Sequence, residues 1–382
     1  MAFINSVNID RIRWCISDRG ISIDELADET GIEKQTLHQI LNGEILITLS
    51  QLKSLAKFFN RGILFFVAGG IVNENKLRTS GFRTLTNEHP NLDPDIKSLI
   101  ERVERQRQIY LNLREELGEG DLPKFNPPDV PKDKPEFAAT IARRWLSTNG
   151  DRTFNGYRRL VESKGVLVFR SNGYSGPWQV PKESEVAGFS IYHRNCPIIF
   201  VRKHAVQQRQ LFTLAHELGH LILHGAGSID NDDSLFAYRG KERDVNEFAG
   251  SFLVPNEALR DLSLEDKPAS ADKFEEWLRP TAQTWGVSVE VILLRLLGDN
   301  RVTRKDYEAY KVWKHSQKPI EGGRGNRQYR YREPVHVFGK SYVGTVLEAL
   351  GSQQITATKA SRFLDNIKIN DVHRLQREFN AL

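Results

Sequence analysis

One helical run that contains three histidines and a glutamate constrains this chain more than any other feature. Residues 210–224, QLFTLAHELGHLILH, are otherwise mostly apolar, which is typical of a helix buried in a protein core. His216, Glu217 and His220 form the pattern H-E-x-x-H, and residues four apart lie on one face of a helix. Both imidazoles can therefore bind one metal ion, while Glu217 takes the proton of an attacking water. The pattern predicts a metal site inside a folded domain.

The third metal ligand must come from elsewhere in the chain, because a catalytic zinc ion needs three protein ligands and an open position. A second helical pattern, KERDVNEFAGSFL, offers Glu242 and Glu247. Glu242 shares a helix face with Asn246, so the spacing favours Glu242 over Glu247. The expected metal is Zn²⁺, with Mn²⁺ as the alternative, since two histidines and a carboxylate do not select sharply between them.

Other polar side chains are candidates for lining the site. His224 lies four residues after His220, so it either lines the site and polarises a carbonyl or makes ordinary hydrogen bonds at a helix end. The remaining candidates for oxyanion binding or for lining the site are Tyr192, His193 and Tyr238. We also expect an extended substrate to add as a strand beside the strand candidate at residues 187–191. Proteins that recognise peptides through main-chain hydrogen bonds often bind them in this way.

The sequence divides into four regions of different composition. Residues 1–70 consist of short amphipathic helical patterns, and residues 71–136 hold a long charged helix followed by a proline-rich linker. Residues 137–298 mix helical patterns with strands, and residues 299–382 begin with a basic stretch and have no assigned role. The length of 382 residues and the apolar content of 39% support more than one core. We therefore predict a multidomain protein with an all-α domain followed by an α+β domain.

The α+β region contains three strand candidates, which are VLVFR, EVAGFSIYH and PIIFV. The segment after the histidine-rich helix contains Asp230, Asp232 and Asp233, and we interpret it as an acidic loop. Upstream, the helix predicted for residues 95–117 carries apolar residues seven apart. This spacing leaves two alternatives, a coiled-coil seam or a helix packed on its own protein, and the interruption at Gln106 and Arg107 favours the second.

Charge is unevenly distributed along the chain. The whole chain has a net charge of +5, whereas residues 1–70 carry seven basic and eight acidic residues. Residues 301–334 carry ten basic and four acidic residues. Within them, GGRGNRQYRYR interleaves arginine with Tyr329 and Tyr331, which suits either nucleic-acid contact or a solvated basic surface.

The N-terminal region contains two short helices joined by a tight turn. Ser22 and Glu25 have the spacing of a capping box at the start of the first helix, and Gly31 permits the turn. The segment resembles a Cro/CI-type (XRE) helix-turn-helix, with the second helix at residues 33–41. By this resemblance the residues that would face the major groove are Lys34, Gln35, Thr36, His38 and Gln39. Because the region is slightly acidic, dimerisation or docking onto another helix-turn-helix protein is the alternative to DNA binding.

The histidine-rich helix and the helix after it resemble the ImmA/IrrE family of metallopeptidases. RQLFTLAHELGHLILH and ERDVNEFAGSFLVP match two family motifs in order, and the likeness covers residues 137–298. It implies an α+β zincin-like fold with a small mixed sheet. It also assigns His216, His220 and Glu242 as zinc ligands and Glu217 as the general base. The departures from the usual family residues are at Asp244, Val245 and Val254. Gly219 and Gly250 would let the two metal-binding helices pack closely.

The resemblance implies a regulatory zinc endopeptidase that cleaves a specific protein, a helix-turn-helix repressor or an antitoxin. Such proteins typically accompany mobile-element or stress-response genes, and the N-terminal domain would place the enzyme on DNA or near its target. The alternative is a DNA-binding regulator or antitoxin whose peptidase-like domain senses or binds without cleaving. A homodimer is a further expectation.

Two features predict a cytoplasmic location without membrane contact. Cys15 and Cys196 are far apart and fit two free thiols in a reducing compartment. The sequence shows no apolar run long enough to span a bilayer and no signal-peptide pattern at the N-terminus.

Overall fold

A computed structural model describes most of the chain. The residues it describes are 7–59, 61–70, 72, 92–118, 124–148, 150–172, 176–231, 240–260, 262–317 and 327–379. These residues form two compact units, one made of the described residues up to 101 and the other of those from 102 onward. Tyr238, one of the candidates for lining the site, lies outside the described residues.

The first unit is all-α. Its helices are α1 Ile9–Arg19, α2 Ile23–Thr30, α3 Lys34–Leu41, α4 Leu49–Phe58 and α5 Ile63–Val67. Ser22 and Glu25 form the predicted capping box at the start of α2, which ends at Gly31 with a φ of +66°. The helices enclose an apolar core that includes Ile12, Leu26, Leu37, Leu52, Leu55 and Phe66. The predicted helix-turn-helix therefore has its own hydrophobic core.

The long charged helix, α6 Pro94–Glu116, begins in the first unit and continues into the second. Within the first unit, the Lys97 ammonium lies 2.9 Å from the Asp18 carboxylate and Arg61 lies 2.7 Å from Glu101. The apolar side chains at its heptad-like spacing are buried in the protein: Ile96, Leu99, Val103, Tyr110 and Leu113. This burial agrees with a helix packed on its own protein, the alternative favoured by the sequence.

The second unit contains the predicted small mixed sheet. Its strands are β1 Leu167–Arg170, β2 Val186–Ile191, β3 Ile198–Val201 and β4 Ser228–Asn231, in the order β1-β3-β2-β4. β1 pairs with β3 in parallel, while β2 pairs antiparallel with both β3 and β4. The interpretation of the acidic segment as a loop is wrong at Asp230, because Ser228–Asn231 forms β4, whereas Asp232 and Asp233 lie outside the described residues.

Helices surround this sheet and carry the histidine-rich motif. They are α7 Pro135–Leu146, α8 Phe154–Glu162, α9 Gln207–Gly219, α10 Gly240–Leu253, α11 Asn256–Arg260, α12 Phe274–Trp285 and α13 Val289–Gly298. α9 packs on β2 and β3 and continues into a π-helical turn, His220–His224. α9 and α10 pack closely at Gly219, where an added Cβ would lie 3.0 Å from Val245 and from Phe248. Gly250 does not contribute to this contact, because it faces the Arg295 side chain of α13.

The C-terminal region packs on the α+β core. α14 Arg304–Ser316 buries Tyr307 and Tyr310 in the same core as the sheet. It is followed by a 3₁₀ segment, Arg327–Arg332, and by α15 Glu333–Gly351, α16 Ala357–Phe363 and α17 Ile369–Glu378. Phe338 and Tyr342 of α15 contact the rings of Phe169 and Trp178. None of the helices in the described part of the chain is both long and apolar enough to cross a membrane.

The basic segment at 322–332 is only partly available for contact with nucleic acid. Its first residues lie outside the described part. Tyr329 is exposed, but Tyr331 is 1% exposed and its hydroxyl donates a hydrogen bond to Glu378. Tyr331 is too buried to stack on a base, so of the two tyrosines only Tyr329 could serve the nucleic-acid alternative.

Candidate metal centre

Two histidines converge at the end of α9. His216 lies in α9 and His220 begins the π-helical turn, and both are buried, with 0% and 4% of their surface exposed. Their Nε2 atoms lie 3.1 Å apart. This is the convergence that the four-residue spacing predicted, since both side chains project from one helix face.

Glu242 reaches the same point from α10. It lies in the first turn of that helix, and its Oε2 is 3.3 Å from His216 Nε2 and 3.5 Å from His220 Nε2. Glu247, the other candidate, is exposed and does not belong to the cluster. The close approach of α9 and α10 at Gly219 brings Glu242 to the imidazoles.

Asp230 is a fourth member of the cluster that the sequence did not single out as a ligand. It is 2% exposed, with Oδ1 3.5 Å from His216 Nε2 and Oδ2 3.4 Å from His220 Nε2. One donor atom from each of His216, His220, Asp230 and Glu242 lies within 4.8 Å of all the others. Asp230 was missed because it reaches the site only through the pairing of β4 with β2.

A hydrogen bond on the far side of His216 orients its ring. The Nδ1–H of His216 donates to Asn246 Oδ1 at 2.8 Å. With the proton on Nδ1, the lone pair on Nε2 is directed into the cluster, which is the usual arrangement for histidine ligands of metals. Asn246 is therefore a supporting residue, one helical turn after Glu242.

The cluster has the electrostatics of a cation site. Burial alone would lower the pKa of His220, but the carboxylates of Asp230 and Glu242 outweigh it and raise the pKa to about 9. Conversely, burial would raise the pKa of both carboxyl groups, and the two imidazoles lower it instead. Glu242 Oε2 is also buried without a hydrogen-bond partner in the described part of the chain. This set of nitrogen and oxygen donors fits Zn²⁺, and it also fits Mn²⁺.

Glu217 lies beside the cluster, beneath the sheet. It is 0% exposed, and none of the described residues satisfies either carboxyl oxygen with a hydrogen bond. Burial raises its pKa well above the usual value, and the negative charge of Asp230 acts in the same direction. Gly188 of β2 makes room for it, since an added Cβ there would lie 2.9 Å from Glu217 Oε1. A carboxyl group in this position can exchange a proton with a reactant at the cluster.

The remaining candidates for lining the site lie outside the donor cluster. His224 ends the π-helical turn, its ring centroid is 5.7 Å from that of His220, and its Nε2 has no hydrogen-bond partner among the described residues. Tyr192 is 37% exposed and lies near Gly225. The Nδ1 of His193 accepts a hydrogen bond from the Asn195 backbone at 3.1 Å. The ring of His224 thus packs against that of a histidine in the cluster.

The predicted DNA-reading residues lie on α3 of the first unit. Lys34, Gln35 and His38 are exposed, and Thr36 and Gln39 are partly exposed. Leu37, Ile40 and Leu41 of the same helix are buried. The Lys34 ammonium lies 2.5 Å from the Asp24 carboxylate of α2. Of the five predicted side chains, Lys34 is thus held against α2 by an ion pair.

Family comparisons agree with both parts of this architecture. A family of peptidases described as the IrrE N-terminal-like domain matches residues 161–297, and a helix-turn-helix family matches residues 12–66. No curated protein and no solved structure matches the chain.

Proposed function

We propose that the chain is a regulatory zinc-dependent endopeptidase that cleaves one specific protein partner, because residues 161–297 match an IrrE N-terminal-like peptidase family and residues 12–66 match a helix-turn-helix family. The observation that carries the proposal is the convergence of His216, His220 and Glu242 beside the buried carboxyl of Glu217. A structural histidine pair would need no unpaired buried glutamate next to it, because such a group is costly to bury.

Each of these residues has a role in the proposed reaction. His216, His220 and Glu242 hold the metal, which when bound polarises a peptide carbonyl and activates water. Glu217 accepts the proton of the attacking water at a carboxyl oxygen and passes it to the leaving amine. Asn246 holds the His216 ring in the orientation that directs Nε2 to the metal. The two histidines are shielded from bulk water, whereas the Glu242 side chain is 32% exposed.

The partner we propose is a repressor or antitoxin that itself contains a helix-turn-helix. The first unit gives the chain a means of reaching such a target, either by binding the same DNA or by docking on the partner's own helices. The exposed side chains of α3 support both routes. Cleavage of a repressor would relieve repression irreversibly. A helix-turn-helix domain on the same chain would bring the peptidase to such a target.

The test is incubation of the zinc-loaded full chain with candidate helix-turn-helix partners, followed by mass spectrometry of the products. Glu217→Gln should keep its metal and lose cleavage by about 100-fold or more, because the proton acceptor is removed. His216→Ala should lose both metal and cleavage. Glu247→Gln, on the same helix as Glu242 but outside the cluster, is the matched control and should behave like the wild type. If the wild type and Glu217→Gln consume the partner protein at the same rate, the peptidase proposal is wrong.

The second candidate function is a regulator whose peptidase-like domain binds a partner or signal without cleaving it. The observation that favours it is Asp230, which supplies a fourth donor where a catalytic zinc site keeps a position open. Under this alternative His216→Ala abolishes metal binding and regulation, but no product fragments form with the wild type or with any variant.

A further inference from the structure

The donor atoms of His216, His220 and Glu242 have the spacing of ligands of one tetrahedral metal ion, and Asp230 lies at a similar distance from both imidazoles. Donors about 2.0–2.1 Å from a tetrahedral zinc ion lie about 3.3–3.4 Å from one another. The two imidazole Nε2 atoms are 3.1 Å apart, and Glu242 Oε2 is 3.3 and 3.5 Å from them. The nearest oxygens of Asp230 are 3.5 and 3.4 Å from the same nitrogens. Asp230 therefore lies at the distance of a fourth ligand.

Charge balance supports the same assignment. Two neutral imidazoles, one carboxylate and Zn²⁺ would leave a net positive charge in a centre whose histidines are almost fully buried. A second carboxylate makes the set neutral, and a neutral set is far less costly to bury than a charged one. Asp230 is itself 2% exposed, so solvent does not screen its charge.

The sheet holds Asp230 in this position. Asp230 pairs with Gly188 across β4 and β2, next to an irregularity in register between Val186 and Gly188. Such irregularities often redirect side chains beside active sites. Because Gly188 has no side chain, the space between the sheet and α9 is left to Thr213 and to the carboxyl group of Glu217, beside Asp230's pairing position. The Ser228 hydroxyl also donates a hydrogen bond to Asp230 Oδ2.

β4 also occupies the place where a substrate strand was expected. The sequence predicted that an extended peptide pairs beside residues 187–191, which lie in β2. In the structure both edges of β2 are taken, one by β3 and the other by β4. A peptide can pair with β2 on the side of the metal cluster only after β4 has left, and Asp230 leaves with it.

We infer that Asp230 is a fourth protein ligand that closes the metal centre, and that β4 is an inhibitory strand which must leave β2 before a substrate enters. The closed centre stands on the ligand geometry, whereas its consequence for cleavage rests on the proposed peptidase function. In this conformation the protein is therefore an inactive form of the enzyme. A partner strand that replaces β4 on β2 would free one coordination position on the metal and would also position the peptide for cleavage.

The experiment uses the full chain loaded with Co²⁺ in place of zinc, because Co²⁺ reports its coordination by visible absorption. Azide serves as the probe for an open coordination position. The wild-type spectrum should be that of a four-coordinate centre and should not change when azide is added. Asp230→Ala should show a changed spectrum that responds to azide, and its metal affinity should fall by on the order of 10–100-fold.

Two further variants keep the test decisive. Asp230→Asn preserves the size of the side chain, so it provides the readout if Asp230→Ala does not fold, and it should also weaken metal binding. Glu247→Gln removes a carboxylate of α10 outside the cluster and should match the wild type in affinity and in azide response. The inference is overturned if the wild-type centre responds to azide as Asp230→Ala does, or if both Asp230 variants bind metal as tightly as the wild type.

Cleavage adds a separate readout. If β4 is inhibitory, Asp230→Ala at saturating metal should cleave the partner about tenfold faster than the wild type or more, since the closed state is no longer favoured. Failure of the proposed function is distinguishable, because His216→Ala would then retain metal or no variant would cleave. If His216→Ala loses metal while the Asp230 variants behave like the wild type, the inference about Asp230 fails and the peptidase proposal stands.

Discussion

The Nδ1–H of His216 donates a hydrogen bond to Asn246 Oδ1 at 2.8 Å, which links the histidine-rich helix to α10 independently of the metal. The same helix supplies Glu242, so one element both ligates the metal and orients another ligand. Because the bond fixes the tautomer of the ring, its loss should lower the affinity for the metal more than the stability of the fold.

We predict that Asn246→Leu lowers the affinity for zinc by on the order of 10–100-fold, since an apolar side chain cannot accept the Nδ1 proton. Competition with a chromophoric chelator measures the affinity. Asn246→Asp retains an acceptor at the same position and should bind zinc at least as tightly as the wild type. Wild-type affinity in the leucine variant would show that the hydrogen bond does not orient the ligand.

Gly188 is predicted to be required for the packing of α9 on the sheet. An added Cβ would lie 2.6 Å from Thr213 Cγ2 and 2.9 Å from Glu217 Oε1. Gly188→Ala should lower the free energy of unfolding by ~1–3 kcal/mol, the usual cost of overpacking, as measured by chemical denaturation. Thr213→Ser removes the nearest methyl group and should recover part of the loss in the double variant. Gly298→Ala, at the end of α13 with nothing within 4 Å, is the control and should be at least as stable as the wild type.

The parts of the site that the sequence predicted depend on short spacings. His216 and His220 share a helix face because they are four residues apart, and the capping box of Ser22 and Glu25 is equally local. For the third ligand, the sequence offered two carboxylates of one helix, Glu242 and Glu247. Helical periodicity favoured Glu242, which the structure brings to the imidazoles. Periodicity within one element is readable without knowledge of the tertiary fold.

Asp230 was not predictable in this way. Its position depends on the pairing of β4 with β2, whose residues lie about forty positions earlier in the chain. A four-residue strand in a polar segment has no hydrophobic alternation from which pairing could be inferred. The packing of Phe338 and Tyr342 on Phe169 is likewise a contact between distant segments. Pairing and docking over such separations are set by the whole fold.

The C-terminal region is predicted to depend on a buried ion pair of α8. Arg158 and Glu162 are 3.1 Å apart with side chains 4% and 2% exposed, and Arg158 donates to backbone carbonyls of residues 335–337. Glu162 accepts hydrogen bonds from Ser341. Glu162→Gln leaves the Arg158 charge buried and unpaired, so the free energy of unfolding should fall by ~3–5 kcal/mol.

Denaturation followed by tryptophan fluorescence tests this prediction, since Trp178 packs against Phe338 of α15. The neighbouring pair of Arg159 and Asp151 is about half exposed, so Arg159→Ala is the matched control, with an expected effect of ~0–1 kcal/mol. Effects of similar size in the two variants would contradict a special role for the buried pair.

Asp306 should make stability depend on acid pH. Burial would raise the pKa of its carboxyl, but Lys267 at 2.6 Å and the hydrogen bonds of Thr303 outweigh burial and lower the pKa. A lowered pKa stabilises the folded state above the unfolded pKa of about 3.9, and this contribution disappears as pH falls through the folded value. Asp306→Asn should cost ~1 kcal/mol near neutral pH, and the deficit should shrink below about pH 4. A deficit that is constant between these pH values in denaturation experiments would show that the effect is not electrostatic.

The exposed face of α3 is predicted to read DNA through Gln35 more than through Lys34. Gln35 is exposed, while the ammonium of Lys34 is already paired with Asp24. Gln35→Ala should weaken binding to DNA from the gene's own upstream region by ~1–3 kcal/mol, as measured by fluorescence anisotropy. Lys34→Ala should have a smaller effect, because the ion pair with Asp24 offsets the loss of its charge, and Lys57→Ala removes an equal charge outside α3 as the control. If all three variants bind DNA like the wild type but Gln35→Ala fails to bind the partner protein, α3 docks on protein and does not read bases.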